Sequence, residues 1–306
     1  MTRISRIFEA IGNPKNPCYP EIRGPLFSSY ESRQPLLVSP CRFSMTALSP
    51  QPRVFLTAEW QSLLMVNYAI DPAVLRPLIP RGVALDLWQG EALVSMVGFL
   101  FLQTRVLGVP IPFHRNFEEV NLRFYVRRET PEGWRRGVTF VREIVPRRAI
   151  AVLARALYNE PYVACPMRHQ ITSSTCEYGW HFAGGWNSLS AEFHGEPVLL
   201  GEGSAEEFIF EHYWGYTRLR DGSTAEYQVE HPRWRAWTAE NPRLEGEMAA
   251  LYGAEFAQVL GRAPVSAFLA EGSEISVRRG AGMGAATGRV ISDQGPAALD
   301  ALFSDY

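Results

Sequence analysis

Along this chain, sustained hydrophobic periodicity starts at Val54-Phe55-Leu56 and fades after Ser276. Between those points the dominant period is two, the mark of strands that bury one face. Glu119–Arg128 is the cleanest case: Val120, Leu122, Phe124 and Val126 share one face, and Glu119, Asn121, Arg123, Tyr125 and Arg127 share the other. Ala92–Gln103 is apolar almost throughout and reads as a buried strand. Val138–Val145, Phe208–Leu219, Thr224–Glu230 and Val265–Leu269 complete the predicted strands, with Asp221-Gly222 as a hairpin turn between two of them.

Helical periodicity is rarer. Asp71-Pro72 places an N-cap and a first-turn proline ahead of Leu75, Leu78 and Ile79. Pro146 opens a second helix, with Ile150, Leu153, Ala154 and Leu157 on one face and Arg148 and Arg155 on the other side. A third is predicted over 246–260, with Met248, Leu251, Tyr252 and Val259 inward and Gly261 as its stop. Together these elements predict an α+β fold, mainly antiparallel β with a few packed helices. Residues 1–51, rich in Pro, Ser and Arg, read as a disordered extension, 52–280 as a single domain, and the Gly/Ala-rich 281–306 as a flexible tail.

Composition narrows function more than fold. Of 306 residues, 46% are hydrophobic and 12% aromatic, enough for a sizeable core, and the formal charge is -2. So balanced a charge lacks the concentrated basic field of a nucleic-acid binder, and no nucleic acid is expected as partner. The run Ala92–Leu102 is too short to cross a bilayer as a helix, and the N-terminus lacks a long apolar segment with a cleavage site, so no membrane and no secretory route are expected. Cys18, Cys41, Cys165 and Cys176 form no Cys-x-x-Cys spacing, which points to a reducing cytoplasm rather than a zinc framework or disulfide scaffold. The histidines at 114, 169, 181, 194, 212 and 231 are spread singly, no nucleotide- or metal-binding motif is present, and neither cofactor nor metal is expected. Lys15 is the only lysine among 30 basic residues.

Four constellations can carry chemistry. In the first, a proline-stiffened loop, Pro110 to Asn121, delivers His114, Arg115, Glu118 and Glu119 to the start of a strand, where an acid/base group and an anion clamp fit, as does a set of mutually paired rim charges. The second is the polar face of 119–127, which faces solvent in an open sheet and lines a cavity in a closed one. Of Arg142 and Glu143 on the next strand, only one can join that face. The third is the aromatic face Phe208, Phe210, His212, Trp214 and Tyr216, suited to a flat ligand or to a core with one satisfied histidine. The fourth, His231-Pro232-Arg233-Trp234-Arg235, ends a hairpin and is explained by arginine stacking on tryptophan.

Several ordered segments, Trp60 to Pro80, FEEVNLRFYV, GVTFVREIVPRRAIAVLARALYNEPY, EHYWGYT and VEHPRW, together resemble the YqjF-like family of uncharacterised conserved proteins across roughly 52–280. That family is grouped with the acetoacetate-decarboxylase-like superfamily, and the resemblance implies a barrel- or cone-like sheet with helices around it. Decarboxylases of the superfamily use a lysine imine, in a segment like A-I-A-V-x-R-E followed by P-K-K. Ala149-Ile150-Ala151-Val152 and Arg155 look like the first part and Pro161 like its proline, which sets Tyr162 and Val163 in the two lysine places. An imine needs a primary amine, so the resemblance implies the fold without Schiff-base chemistry.

Three functions follow as expectations. The first is a lysine-free enzyme acting on a small carboxylate or carbonyl compound: Arg123 or Arg155 holds the anion, Glu119 or His212 moves a proton, and His114, Tyr162 and Tyr216 line the site. The second is a non-catalytic small-molecule binder or sensor using the same pocket. The third is a structural or partner-binding protein whose aromatic strands are only core; a homo-oligomer is compatible with each.

Overall fold

Where apolar side chains on both faces of a strand are buried, the period-two signal vanishes, and this is the state of residues 63–68 and 92–99. A computed structural model describes residues 53–110, 113–147 and 161–283. Its strands are β1 (Val54–Ile70), β2 (Ala84–Leu85), β3 (Ala92–Val106), β4 (Val109–Pro110), β5 (Phe117–Thr130), β6 (Gly133–Val145), β7 (Tyr162–Ala164), β8 (Met167–Ile171), β9 (Thr175–Phe182), β10 (Gly185–Phe193), β11 (Val198–Leu199), β12 (Trp214–Arg218), β13 (Thr224–Glu230), β14 (Arg235–Glu245) and β15 (Ser266–Met283). Pairing runs β1-β3-β5-β6-β12-β13-β15-β14-β10-β9-β8 and is antiparallel except where β6 meets β12 and β7. Because β15 also pairs with β1, the first seven strands of that path return to their start.

Two apolar clusters lie on the two faces of this sheet. Val120, Leu122, Phe124 and Val126 of β5 join Tyr178, Trp180 and Tyr216 in one, against the helices Met248–Tyr252 and Ala254–Leu260. Met65, Val97, Phe99, Tyr125, Phe208, Ile209, Phe210 and Phe268 form the other. The polar face of β5 therefore points into an apolar cluster rather than into water: Glu119 is 3% exposed and Asn121 2%.

Most predicted elements are present, but β8, β9, β10 and β14 lie outside the predicted strands, and four further differences concern single elements. β1 was not anticipated as a strand of 17 residues; its central Leu63–Tyr68 is buried on both faces, and a register shift between Gln61 and Leu64 breaks any alternation that remains. Phe208–Phe210 are not strand but the end of a helix, Ala205–Phe210. Ser204 Oγ accepts the Glu207 N–H at 3.1 Å while the Glu207 carboxylate accepts the Gly203 N–H at 2.6 Å, a capping arrangement that starts a turn and outweighs the aromatic alternation. The helix predicted over 246–260 is two, separated at Gly253, whose φ of +86° no helix accommodates. β15 runs on to Met283, paired to Thr224, past the point where the chain was expected to become a tail. The helix after Pro146, the extension 1–51 and residues 284–306 lie outside the described residues.

The capping arrangement gives a direct test. Ser204→Ala should lower unfolding free energy by about 1 kcal/mol, read by urea denaturation, and Ser204→Asp should restore it.

Candidate functional site

The interior face of β5 is organised around Arg123. Strand pairing sets Arg123 opposite Ser95 of β3, and Ser95 opposite Asn67 of β1. Asn67 donates to Ser266 Oγ at 3.0 Å and accepts from the Ser95 hydroxyl, which also bonds the Tyr125 hydroxyl. This chain satisfies the polar groups at the level of Arg123 without engaging the guanidinium. Arg123 Nη2 instead approaches Met65 Sδ and the Ile209 carbonyl oxygen, each at 3.5 Å. Met65 pairs with Val97 and Val97 with Asn121, so the guanidinium leans back toward the Asn121 end of the strand. Among the described residues no carboxylate lies within 4.0 Å of it. Arg123 Nε, Asn121 Oδ1 and His212 Nδ1 are buried and lack a hydrogen-bond partner among the described residues.

Two pairs of proton-carrying groups flank this arginine. On one side Glu119 accepts from Asn121 Nδ2 at 3.0 Å and from the Tyr162 hydroxyl at 3.3 Å. Glu143, 1% exposed, faces the same way because it pairs with Asn121 and with Tyr162. On the other side His212 Nε2 stands 3.2 Å from Asp86 Oδ2, with its ring 4.7 Å from Tyr125 and 5.1 Å from Phe208. The carboxylate partner assigns the ring proton to Nε2 and leaves Nδ1 as a lone pair. Burial pushes the imidazole down to about 4, against the pull of Asp86 and with the help of the Arg136 and Arg123 charges, so the ring is neutral at pH 7. Burial alone would raise Asp86, but hydrogen bonds from His212 and from Arg136 Nε, the latter at 2.6 Å, hold its carboxyl below the usual range.

The expected site residues do not all meet. Glu119, Arg123 and Tyr162 face one interior, and His212 reaches it from the segment between the helix Ala205–Phe210 and β12. Glu119 and Tyr125, the neighbour of His212, are six residues apart on one strand, about 20 Å, so the two proton carriers serve opposite ends. Tyr216 packs in the other apolar cluster, with its ring against Gly137; the helix over 205–210 removes the common face it was expected to share with His212. His114 sits half-buried in the loop before β5, beyond the Glu119 end, and Arg155 lies outside the described residues. His231 stacks on Trp234 at 4.0 Å and its Nδ1–H bonds the Pro232 carbonyl, so that constellation is packing; it borders an open surface groove of about 590 Å³ with Glu59, Glu230 and Glu274. Asp86 and Asn67 are the site residues that sequence reasoning missed, single polar residues in apolar runs with no spacing to mark them. No group of three or more His, Cys, Asp or Glu among the described residues is placed to hold a metal.

Residues 57–274 match the family described as Uncharacterized conserved protein (COG2071), DUF2071. The chain belongs to this family. It is 27% identical to the uncharacterized protein YqjF of Bacillus subtilis (strain 168) over 212 residues, 67% of this chain and 83% of that protein. Among solved structures it is similar to acetoacetate decarboxylase from Legionella pneumophila subsp. pneumophila str. Philadelphia 1, with a TM-score of 0.57, 15% identity, and coverage of 79% of this chain and 93% of that one. It is similar too to the enduracididine biosynthesis enzyme MppR complexed with pyruvate, with a TM-score of 0.51, 12% identity, and coverage of 78% and 92%. At such identity the likeness is one of fold.

The buried histidine of this DUF2071 chain makes stability depend on pH. From its ordinary value of 6.5 down to about 4, the unfolded chain binds a proton that folded His212 refuses. Stability therefore falls as pH drops through that window, by on the order of 3 kcal/mol for the whole interval. His231, lowered by burial, adds to the same slope. Melting temperatures at pH 7 and pH 4.5 should diverge in the wild type and diverge less in His212→Gln; an equal slope in both would remove the buried neutral imidazole.

Proposed function

We propose that this protein binds a small organic monoanion inside its sheet, which we read as a cone-like barrel, with Arg123 as the anion clamp. One observation carries the reading: an inward guanidinium without a carboxylate partner among the described residues, beside buried polar atoms left unpaired. A buried polar group without a partner costs free energy, and arginine without a counter-ion more so, so such a set is best explained by a ligand or water that completes it. Support by analogy comes from the pyruvate named in the MppR complex, a small 2-oxo acid held by a protein of the same fold.

Imine chemistry is not part of the proposal, because Lys15 is the only lysine. A second reading, an acid/base enzyme, is favoured by the bond between Tyr162 and Glu119: the residue that the resemblance sets in a lysine place of the decarboxylases meets a buried carboxylate. In that reading Arg123 holds the carboxylate of the substrate, and Glu119, with the Tyr162 hydroxyl beside it, exchanges a proton at the carbon next to its carbonyl. The binder and the enzyme share the clamp and differ in whether Glu119 is required after binding.

A thermal-shift series on the full chain with pyruvate, acetoacetate and other small organic acids tests the clamp. At saturating acid, at about 100 times Kd, stabilisation should reach about 2.7 kcal/mol in wild type and vanish in Arg123→Met, which keeps the volume. A flat wild-type response across the series overturns the proposal. Glu119→Gln should still be stabilised by the acid, and exchange of the substrate's α-protons into D2O, followed by NMR, decides between the readings by its loss in that variant.

A further inference from the structure

One surface feature is costly in a way the interior site does not explain. β3 and β4 are joined by a two-residue turn in which Leu107 and Gly108 both have positive φ, +50° and +81°. Such a turn favours Asn-Gly, and a bulky leucine in its first place is strained. That leucine is 61% exposed, Val109 after it 64%, and Phe113, also at positive φ, 90%. Large apolar side chains held in unfavourable backbone and offered to water are poor choices for a loop whose only task is to connect strands.

Charge along this hairpin and the loop after it is one-sided, although Arg105 also borders the groove that holds Glu59, Glu230 and Glu274. No acidic residue occurs from Thr104 to Phe117. The Leu107 N–H bonds the Phe55 carbonyl at 2.8 Å, Arg279 lies 5.2 Å over the Phe55 ring, and Arg53 is two residues before it. Arg105 pairs across the hairpin with Pro110, and the Arg115 carbonyl accepts from the Thr104 N–H at 3.0 Å. Arg53, Arg105, Arg115 and Arg279 are all exposed, and among the described residues none has a carboxylate within 4.0 Å. An apolar tip thus rises from a collar of uncompensated arginines.

We propose that this tip docks the protein peripherally on a membrane surface carrying anionic lipid. Leu107, Val109 and Phe113 enter the interfacial layer, and Arg53, Arg105, Arg115 and Arg279 meet the lipid phosphates. Docking of this kind departs from the expectation of no membrane partner, which rested on the lack of a spanning segment. No helix among the described residues is long and apolar enough to cross, and docking by a tip needs none. A second copy of the chain is the weaker occupant, since a two-fold contact through this face opposes four arginines to four others.

Flotation of the full chain with phosphatidylcholine vesicles, with and without phosphatidylglycerol, tests the proposal. Wild type should float only with phosphatidylglycerol and less as salt rises. Phe113→Asp should weaken partitioning roughly tenfold, and Arg105→Glu with Arg279→Glu should flatten the salt dependence, all with unchanged melting temperatures. Absence of wild-type binding, or binding that Phe113→Asp leaves intact, overturns it. So does a wild-type dimer in light scattering that Phe113→Asp converts to monomer, for then the face belongs to a second copy.

Discussion

A carboxylate kept from water must be surrounded by donors and positive charge, and the arrangement around Asp86 sets much of what this fold can do. Asp86 is 5% exposed, bonded to Arg136 and His212, with Arg127 at 4.0 Å. Arg127 and Arg136 are directly opposed across β5 and β6, and like charges in that relation repel. The next pair, Arg128 and Arg135, is opposed in the same way and held from the other face by Glu226, at 2.7 and 2.9 Å. Two acids on opposite faces thus turn two repulsive rungs into clamps, and the hairpin is fixed where it meets the rest of the sheet. Removing Asp86 would leave Arg127 and Arg136 facing each other with no carboxylate within 4.0 Å among the described residues. Removing Glu226 would leave Arg128 and Arg135 only Glu132, at 3.6 Å from Arg135; either is a larger loss than that of an exposed ion pair.

Asp86 also reaches across to His212, and this fixes the imidazole against Tyr125 and Phe208. The interior is consequently built on polar residues whose bonds are made among themselves: Asn67 to Ser95 to Tyr125 at one level, Asn121 to Glu119 to Tyr162 at another. Such networks are stable only when nearly complete. Beside this network Arg123 Nε, Asn121 Oδ1 and His212 Nδ1 are buried without a hydrogen-bond partner among the described residues.

The sequence disclosed the two faces of β5 but not which one looks inward. Alternation is a local property, whereas closure depends on β1 meeting β15 and β6 meeting β12, pairings between segments far apart in the chain. β1 was illegible for the opposite reason, since burial on both faces erases the pattern. The helix over 205–210 was legible: Ser204 with Glu207 three residues on is a helix-start signal, overridden by the attraction of a run of alternating aromatics. That signal separates His212, which packs on Tyr125 and Phe208 of one apolar cluster, from Tyr216 in the other. Asp86 could not be found, because its importance lies in three arginine and histidine partners between 41 and 126 positions away.

Charge counting at the interior then bears on what the proposed ligand is. His212 is neutral at pH 7, and the charge of Asp86 is met by Arg136, so neither adds a net field at that end of β5. Arg123 is left as the one cation there whose charge is not answered by a carboxylate among the described residues. A single planar guanidinium matches one carboxylate in two parallel bonds and cannot balance a dianion in a site of low dielectric. The lone lysine at position 15 sharpens the same point: along β1 to β15 there is no lysine to recruit, and on the face of Arg123 the arginines 127 and 136 are already committed to Asp86. For the proposed binding reading, a monoanion rather than a dianion then follows from how the hairpin is held together.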